Sequence, residues 1–176
     1  DDDELVLSFY SRVFSDYYYY PINIIFDGGS GDDILRDDHG TQPSYSNWVS
    51  IPSLIYKGGE GDDTLRVGNH VKDLTLEGGS GSDTFEITKT NLFNNEYWLT
   101  QRRDVNNQPI TDTSFIISDF QTGVGGDVLD LTALTDTGVL SGYGVGNPFA
   151  TTNGYLRFSQ ADNGIDTLFE VDIDGG

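Results

Sequence analysis

The sequence contains no cysteine, no methionine and few positive charges. Without cysteine, neither a disulfide framework nor a cysteine-ligated zinc site is possible, so the fold must be stabilised in another way. Only 9 Lys and Arg stand against 29 Asp and Glu, which gives a formal net charge of −20. Nucleic acids and anionic membrane surfaces are bound through clustered cations, so the composition argues against both as partners.

Long apolar segments are also missing. No run reaches the ~18 residues that a membrane-spanning helix requires, and no amino-terminal signal peptide is visible, so we expect no insertion into a membrane. The chain opens with Asp1-Asp2-Asp3-Glu4 instead of methionine. We therefore expect it to be a piece of a longer protein.

The 176 residues suit one domain with at most a small appendage. Ten Phe and ten Tyr can build a core, but 22 Gly contribute no buried side chain, so the core is expected to be thin. The excess carboxylates repel one another when the chain becomes compact. Bound divalent cations are the simplest means of neutralising them.

Three segments of nine residues share the pattern G-G-x-G-x-D-x-U-x, in which U is a large apolar residue. They cover residues 28–36, 58–66 and 78–86, so their starts are 30 and then 20 residues apart. One coil with two short strands and two tight turns needs roughly 18 residues. The spacing therefore predicts that the three turns stack on one side of a coil, with extra residues in the far loop of the first coil.

Alternating apolar residues flank these turns and predict strands with one buried face. Ile24 and Phe26 precede the first turn, Leu74 and Leu76 precede the third, and Phe85 ends the third. The predicted fold class is all-β: a parallel β-roll or β-helix, capped by an antiparallel β region. The predicted parts are an amino-terminal cap with the first strands, the coil, and the carboxyl-terminal cap, at residues 1–25, 26–90 and 91–176.

The repeat stops after its third copy. The polar residues 91–112 allow no assignment. A strand is predicted at Thr113–Phe120, and a strand that leads into a short helix is predicted at Asp127–Leu134. The last prediction is a hairpin, formed by residues 155–159 and 166–173 around Asp162-Asn163-Gly164.

The composition of each turn suits a hard cation. Glycine lets the backbone take positive φ and fold back sharply without a Cβ clash, so a G-G-x-G turn points several carbonyls inward. The aspartate at the sixth position adds a carboxylate to the same concavity. Carbonyl and carboxylate oxygens are the ligands of Ca²⁺, which takes 6–8 of them in flexible geometry. One turn supplies too few, so we expect two stacked turns to share each ion, while the apolar eighth position fills the interior.

The nonapeptide resembles the calcium-binding repeat of the RTX (repeats-in-toxin) family. The resemblance implies that one turn gives the carbonyls of its second and fourth residues and its aspartate, and that the next gives the carbonyls of its first and third residues and its aspartate. The first ion would then contact Gly29, Gly31, Asp33, Gly58, Glu60 and Asp63. The second would contact Gly59, Gly61, Asp63, Gly78, Ser80 and Asp83. The other turn residues taken as candidates for metal binding are Gly28, Ser30, Gly79 and Gly81.

We call the predicted stack of the three turns the ladder. The end of this ladder, at the third turn, is a further candidate site. Gly79, Gly81 and Asp83 could hold an ion against residues beyond 113, although the sequence names no partner for them. The turns on the opposite side of the coil lack the motif, so we expect no second ladder there.

Other candidate sites have simpler interpretations. His39 and His70 lie in predicted loops without a metal-binding motif, and we interpret them as surface residues. The segment from Glu170 to Gly175 imitates the start of an EF-hand loop, but its alternating apolar residues predict a strand. Because no G-x-S-x-G, H-E-x-x-H or P-loop motif is present, we expect no enzyme.

The carboxyl-terminal part resembles the type I secretion target domain found at the ends of large RTX adhesins of Gram-negative bacteria. The matching segments are residues 117–120, 125–131, 166–168 and 171–175. The resemblance implies export as an unfolded chain through type I secretion machinery, with folding on Ca²⁺ outside the cell. It also implies a secreted protein, extracellular or at the cell surface.

The two resemblances together imply a non-enzymatic, calcium-binding export and folding module of a large secreted adhesin, acting as a monomer. Two alternatives remain open. The chain could be the RTX tail of a secreted hydrolase, such as a protease or a lipase. It could also be a module that binds sugar or a surface, an idea that the tyrosine and tryptophan content favours.

Overall fold

A computed structural model shows two compact units, Asp1–Asp130 and Leu131–Gly176. We call the first the coiled unit and the second the hairpin unit. No helix in the described part of the chain is long and apolar enough to span a membrane. The structure describes residues 1–7, 23–37, 51–66, 71–87, 114–135, 140–144, 146–150 and 154–172.

In its described residues, the coiled unit has nine strands that alternate between two parallel sheets. In chain order they are β1 (Glu4–Leu7), β2 (Asn23–Ser30), β3 (Ile34–Asp37), β4 (Ile51–Glu60), β5 (Thr64–Arg66), β6 (Val71–Ser80), β7 (Thr84–Glu86), β8 (Ser114–Ile117) and β9 (Val128–Asp130). One sheet has the order β1-β3-β5-β7-β9 and the other has the order β2-β4-β6-β8. Every pairing within them is parallel, so the chain winds in coils and passes from one sheet to the other through each glycine-rich turn.

The register of the sheets places the three repeats level with one another. Gly29 pairs with Gly59, and Gly59 pairs with Gly79. In the other sheet, Leu35, Leu65 and Phe85 follow one another in the same way. This register is the one that the repeat spacing predicts, with the first coil longer than the second.

The core of the coiled unit lies between the two sheets. The eighth positions of the repeats are fully buried, as are Tyr56 and Leu76 of the facing sheet. Burying one such side chain stabilises the fold by about 1.5–3 kcal/mol. Phe26 packs edge-to-face on Tyr56, the residue that follows it in register, with ring centroids 5.8 Å apart.

Residues 114–130 differ from the prediction, which placed them in an antiparallel cap. They instead add one parallel strand to each sheet: β8 pairs with β6, and β9 pairs with β7. Phe115 and Ile117 lie in register with Leu74 and Leu76, and so repeat the apolar spacing of the preceding coil. The same alternation would serve an antiparallel strand, which is why the sequence pattern alone did not give the direction.

The described residues of the hairpin unit form a short helical turn, α1 (Thr132–Thr135), and two antiparallel strands, β10 (Leu156–Gln160) and β11 (Thr167–Val171). This confirms the predicted hairpin. Its turn is held by the Asn163 side chain, whose Oδ1 accepts hydrogen bonds from the Ile165 and Asp166 N–H groups (both 3.0 Å).

Some predictions concern residues that the structure does not describe. These are most of the amino-terminal part, His39, His70, residues 91–112 and the end of the EF-hand-like segment at Asp174 and Gly175.

Candidate metal centre

The glycines of each turn direct its carbonyls towards the next turn. The second and fourth residues of all three turns have φ between 97° and 137°, a region that a side chain disfavours. A Cβ on Gly59 would overlap the Gly29 carbonyl oxygen, and one on Gly61 would overlap the Gly31 carbonyl oxygen. The second and third turns are related in the same way. Two carbonyls of the first turn and two of the second therefore point towards the turn that follows.

The sixth-position aspartates lie in a row inside these turns. Asp33, Asp63 and Asp83 are 1%, 1% and 0% exposed, although aspartate is almost never fully buried without a partner. One oxygen of each is satisfied by a neighbouring coil. The Asp33 N–H donates to Asp63 Oδ1 (2.8 Å), and the Asp63 N–H donates to Asp83 Oδ1 (3.0 Å).

The second oxygen of each aspartate has no hydrogen-bond donor. Oδ2 of Asp33, Asp63 and Asp83 is buried and unpartnered. It lies beside the first glycine of its own turn, where a Cβ on Gly28 would overlap Asp33 Oδ2 and come within 2.8 Å of the Gly58 carbonyl oxygen. The missing Cβ therefore opens a cradle that is lined by a carboxylate and by a carbonyl of the next turn.

The second turn repeats this cradle. A Cβ on Gly58 would overlap Asp63 Oδ2 and come within 2.5 Å of the Gly78 carbonyl oxygen. An ionised carboxylate is costly to bury unless it is paired, so each cradle favours either a proton or a cation. The arrangement is thus periodic, with one unsatisfied anionic oxygen in each gap.

The pKa values of Asp63 and Asp83 are raised, because these carboxyl groups are buried without a cationic partner. Burial raises the pKa of Asp63 to about 6, against the lowering effect of the Asp33 N–H. The negative charges of Asp83 and Asp33 raise it further. Burial also raises the pKa of Asp83, and the charges of Asp127 and Asp119 add to that shift.

The donor set of the gaps consists of oxygen. In the part of the chain that the structure describes, no three side chains of His, Cys, Asp or Glu are placed to bind a metal together. A cation between two turns would therefore take most of its ligands from backbone carbonyls, with the aspartates supplying charge. This chemistry suits a hard cation such as Ca²⁺, which accepts irregular oxygen shells, better than Mg²⁺, which demands near-ideal octahedral geometry.

The structure brings the predicted site residues together in two gaps. The third residue of a turn contributes through its backbone, because the Glu60 carbonyl accepts from the Gly31 N–H (2.8 Å) and the Ser80 carbonyl accepts from the Gly61 N–H (2.9 Å). Each of these carbonyls keeps a second lone pair for a cation. The side chains of Ser30, Glu60 and Ser80 are exposed, so their residue type is not critical.

Sequence reasoning missed the residues that close the ladder at its two ends. The Asp83 N–H donates to Asp127 Oδ1 (3.0 Å), as the earlier aspartates do along the row. At the other end, the Asp3 N–H donates to Asp33 Oδ1 (2.6 Å). Asp3-Glu4-Leu5 matches the D-x-U end of the repeat, and residues 122–129 match x-G-x-G-x-D-x-U, one glycine short of the full pattern. These partial matches are the signal that could have found the closing residues.

A second row of acidic residues lies on the outside of the turns. The Asp62 N–H donates to Asp32 Oδ1 (2.9 Å), and the Ser82 N–H donates to Asp62 Oδ1 (2.7 Å). Asp32 and Asp62 are exposed, so water can solvate their remaining oxygens. Each outer aspartate is next to a buried one in sequence, and therefore offers a matched control for it.

Comparison of the chain with protein-family models, with curated proteins and with solved structures found no match.

Proposed function

We propose that the stacked turns bind Ca²⁺ and that the coiled unit reaches its folded state only when calcium is bound. The observation that carries this proposal is the row of buried, unpartnered Oδ2 atoms on Asp33, Asp63 and Asp83. A cation in each gap supplies the missing partner for a carboxylate. It also joins coils whose turns are far apart in the sequence.

Each ion between two turns is bound by six protein oxygens. The first is held by the carboxylates of Asp33 and Asp63 and by the carbonyls of Gly29, Gly31, Gly58 and Glu60. The second is held by the carboxylates of Asp63 and Asp83 and by the carbonyls of Gly59, Gly61, Gly78 and Ser80. Six oxygens satisfy the lower end of the range for Ca²⁺, and water can complete the shell.

The energetics suit a switch. Extracellular calcium modules bind with dissociation constants of about 10⁻⁴–10⁻³ M. At ~10 mM Ca²⁺, each such site stabilises the folded state by about 1.4–2.7 kcal/mol. Native domains are stable by only about 5–15 kcal/mol, so two sites decide whether a chain with a net charge of −20 folds.

This switch gives the module its proposed role. We place it as a non-enzymatic export and folding module of a large secreted adhesin, which leaves a Gram-negative cell by type I secretion. Inside a cell, scarce calcium leaves the carboxylates unpaired and the chain open for export. Outside the cell, calcium binding folds the coiled unit.

Circular dichroism and thermal unfolding test the calcium switch. In EDTA we expect the β-sheet signal of the coiled unit to be lost, and in millimolar Ca²⁺ we expect it to appear with a cooperative thermal transition. The same concentration of Mg²⁺ is the ionic control and should give little recovery. An identical spectrum and melting temperature in EDTA and in Ca²⁺ would contradict the proposal.

A further inference from the structure

We propose a third cation site at the end of the ladder, between the third turn and the segment from Asp119 to Asp127. The proposal rests on the calcium-binding function proposed above. Three turns enclose two gaps, yet three aspartates have an unpartnered Oδ2. The third unsatisfied oxygen needs a site of its own.

The orientation of the aspartates assigns each Oδ2 to one gap. Along the row, Oδ1 of each aspartate accepts the N–H of the preceding one, so it faces backwards. A Cβ added to Gly28 or Gly58 would overlap the aspartate Oδ2 of its own turn and lie within 2.8 Å of a carbonyl oxygen of the following turn, so Oδ2 borders the forward gap. By the same relation, Asp83 Oδ2 faces the gap beyond the third turn.

Asp127 takes the position of the next aspartate across this third gap. Val128 lies in register with Thr84, and the Asp83 N–H donates to Asp127 Oδ1 (3.0 Å). The gap is therefore bounded by two carboxylates, just as the other two gaps are. Asp119 holds the third turn beside this gap, because the Asp119 carboxylate accepts hydrogen bonds from the N–H groups of Gly78 (3.0 Å) and Gly79 (2.9 Å).

Asp127 is the last aspartate of the row, and its Oδ2 has a hydrogen-bond donor from the protein. Asp127 Oδ2 accepts the Gln121 N–H at 2.7 Å, so the protein itself satisfies the last oxygen of the ladder. Asp83 Oδ2 receives no such donor, although its side chain is 0% exposed. This contrast indicates that the third gap is built for a cation and that the ladder ends at Asp127.

The third gap provides fewer protein oxygens than the other two. Next to Gly78, the three atoms nearest to a hypothetical Cβ all belong to Asp83, whereas a carbonyl of the next turn is among them at Gly28 and Gly58. The Gly79 carbonyl is also shared with the Gln121 side-chain amide (3.0 Å). We therefore expect this ion to keep more water and to bind last. Its candidate ligands are Asp83, Asp127 and the carbonyls of Gly79 and Gly81.

The number of bound ions tests the inference. Native mass spectrometry in a calcium titration should give three ions for the wild-type chain, with the third filling at the highest concentration. Asp127→Asn keeps an oxygen for the Asp83 N–H but removes the charge, so it should bind two. Asp62→Asn, on the outer row, is the matched control and should still bind three.

A second measurement uses the wild-type chain, so that its result does not depend on whether the variants fold. In ¹H–¹⁵N NMR spectra, the Asp83 and Gln121 amides should shift in the last step of the titration, after the Gly31 and Gly61 amides. Two ions, with no late shift at Asp83 and Gln121, would overturn the third site and leave the first two intact. No bound ion at all would instead overturn the calcium-binding function itself.

Discussion

The buried aspartates of the coiled unit and the paired glutamate of the hairpin unit lie in opposite electrostatic environments, although less buried acids of the coiled unit also form ion pairs, as Glu77 does with Lys57. In the coiled unit, Asp63 is buried without a cationic partner, and burial raises its pKa to about 6. In the hairpin unit, Arg157 donates two hydrogen bonds of 2.8 Å to Glu170, which lowers the pKa of Glu170 to about 2, with help from the Ser159 hydroxyl. An acid that has its own arginine needs no metal, whereas a buried acid without a cationic partner favours a proton or a bound cation. Calcium dependence should therefore be confined to the coiled unit.

The hairpin unit also packs in a different way. The ring of Phe158 packs against the rings of Phe149 and Phe169, with centroid distances of 5.5 Å and 5.3 Å. These are apolar contacts, which do not depend on a bound ion. In the coiled unit the interior is apolar, but the turns that connect the sheets carry the buried aspartates. The stability of the hairpin should thus depend on apolar contacts and on ion pairing, and that of the coil on calcium as well.

The largest effect of a single substitution is expected at the middle of the ladder. Asp63 borders two gaps, so Asp63→Asn should weaken calcium binding at both of them, on the order of tenfold or more at each, or ~1.4 kcal/mol. The asparagine still accepts the Asp33 N–H, so any loss reports mainly on the charge. Isothermal titration calorimetry measures the change, with Asp62→Asn as the control. Equal affinities for the two variants would contradict the assignment of ligands.

The second effect concerns the close approach of neighbouring turns. Gly29 and Gly59 occupy the same position in consecutive turns, with φ of 97° and 118°. A Cβ on Gly59 would overlap the Gly29 carbonyl oxygen, whereas a Cβ on Gly29 has open space around it. Gly29→Ala should cost the ~1–3 kcal/mol of backbone strain alone, and Gly59→Ala should cost more.

Thermal unfolding in calcium measures both alanine variants. If Gly29→Ala were as destabilising as Gly59→Ala, strain would account for both results. The overlap of a Cβ on residue 59 with the Gly29 carbonyl oxygen would then add nothing to the loss of stability.

The third effect is a pH dependence of opposite sign in the two units. The pKa of Asp63 is about 6 when folded, against about 3.9 for an unfolded aspartate. The folded state therefore binds this proton more tightly, which stabilises the metal-free coil at low pH, and this stability is lost as pH rises from about 4 through about 6. For Glu170 the folded pKa is lowered, so its contribution is present above about 4.3 and is lost as pH falls towards about 2.

Circular dichroism in EDTA, where the coil is expected to be unfolded near neutral pH, tests the pH dependence as a recovery of the β-sheet signal at lower pH. The coiled unit should be more stable at about pH 5 than at about pH 7.5, because protons then substitute for calcium. In calcium the order should reverse, since protons compete with the ion for Asp63. A metal-free coil that becomes more stable as pH rises through 6 would contradict the pKa assigned here.

The smallest effect is expected at the exposed ion pair of the hairpin unit. Arg157→Gln should slightly lower the stability of the hairpin, because surface ion pairs contribute little. It should leave the calcium affinity of the chain unchanged. A shift in calcium affinity would show that the two units do not behave independently.

The periodic part of the coil was predictable from the sequence, because the G-G-x-G-x-D spacing sets both the backbone reversal and the register. The burial of Leu35, Leu65 and Phe85 followed from their shared eighth position. The strand at 114–117 was predicted as a strand, but its parallel direction was not, because apolar alternation does not encode direction.

The closing residues of the ladder were harder to predict. Asp119 lies outside any glycine repeat, and the turn before Asp127 has glycine at the second and fourth positions, Gly123 and Gly125, but Thr122 at the first. Both aspartates are brought to Gly78 and Asp83 from more than one coil-length away in the chain. Residues 122–129 thus match x-G-x-G-x-D-x-U, one glycine short of the full repeat, whereas no pattern marks Asp119. The Oδ2 atoms without a donor are visible only once the backbone around them is known.

Long-wavelength anomalous diffraction from crystals grown in millimolar Ca²⁺ tests the central claim most directly. We predict calcium peaks between Asp33 and Asp63 and between Asp63 and Asp83, each within bonding distance of glycine carbonyls from two turns. Gaps without anomalous density in such crystals, or calcium bound only to the exposed outer aspartates, would contradict the account.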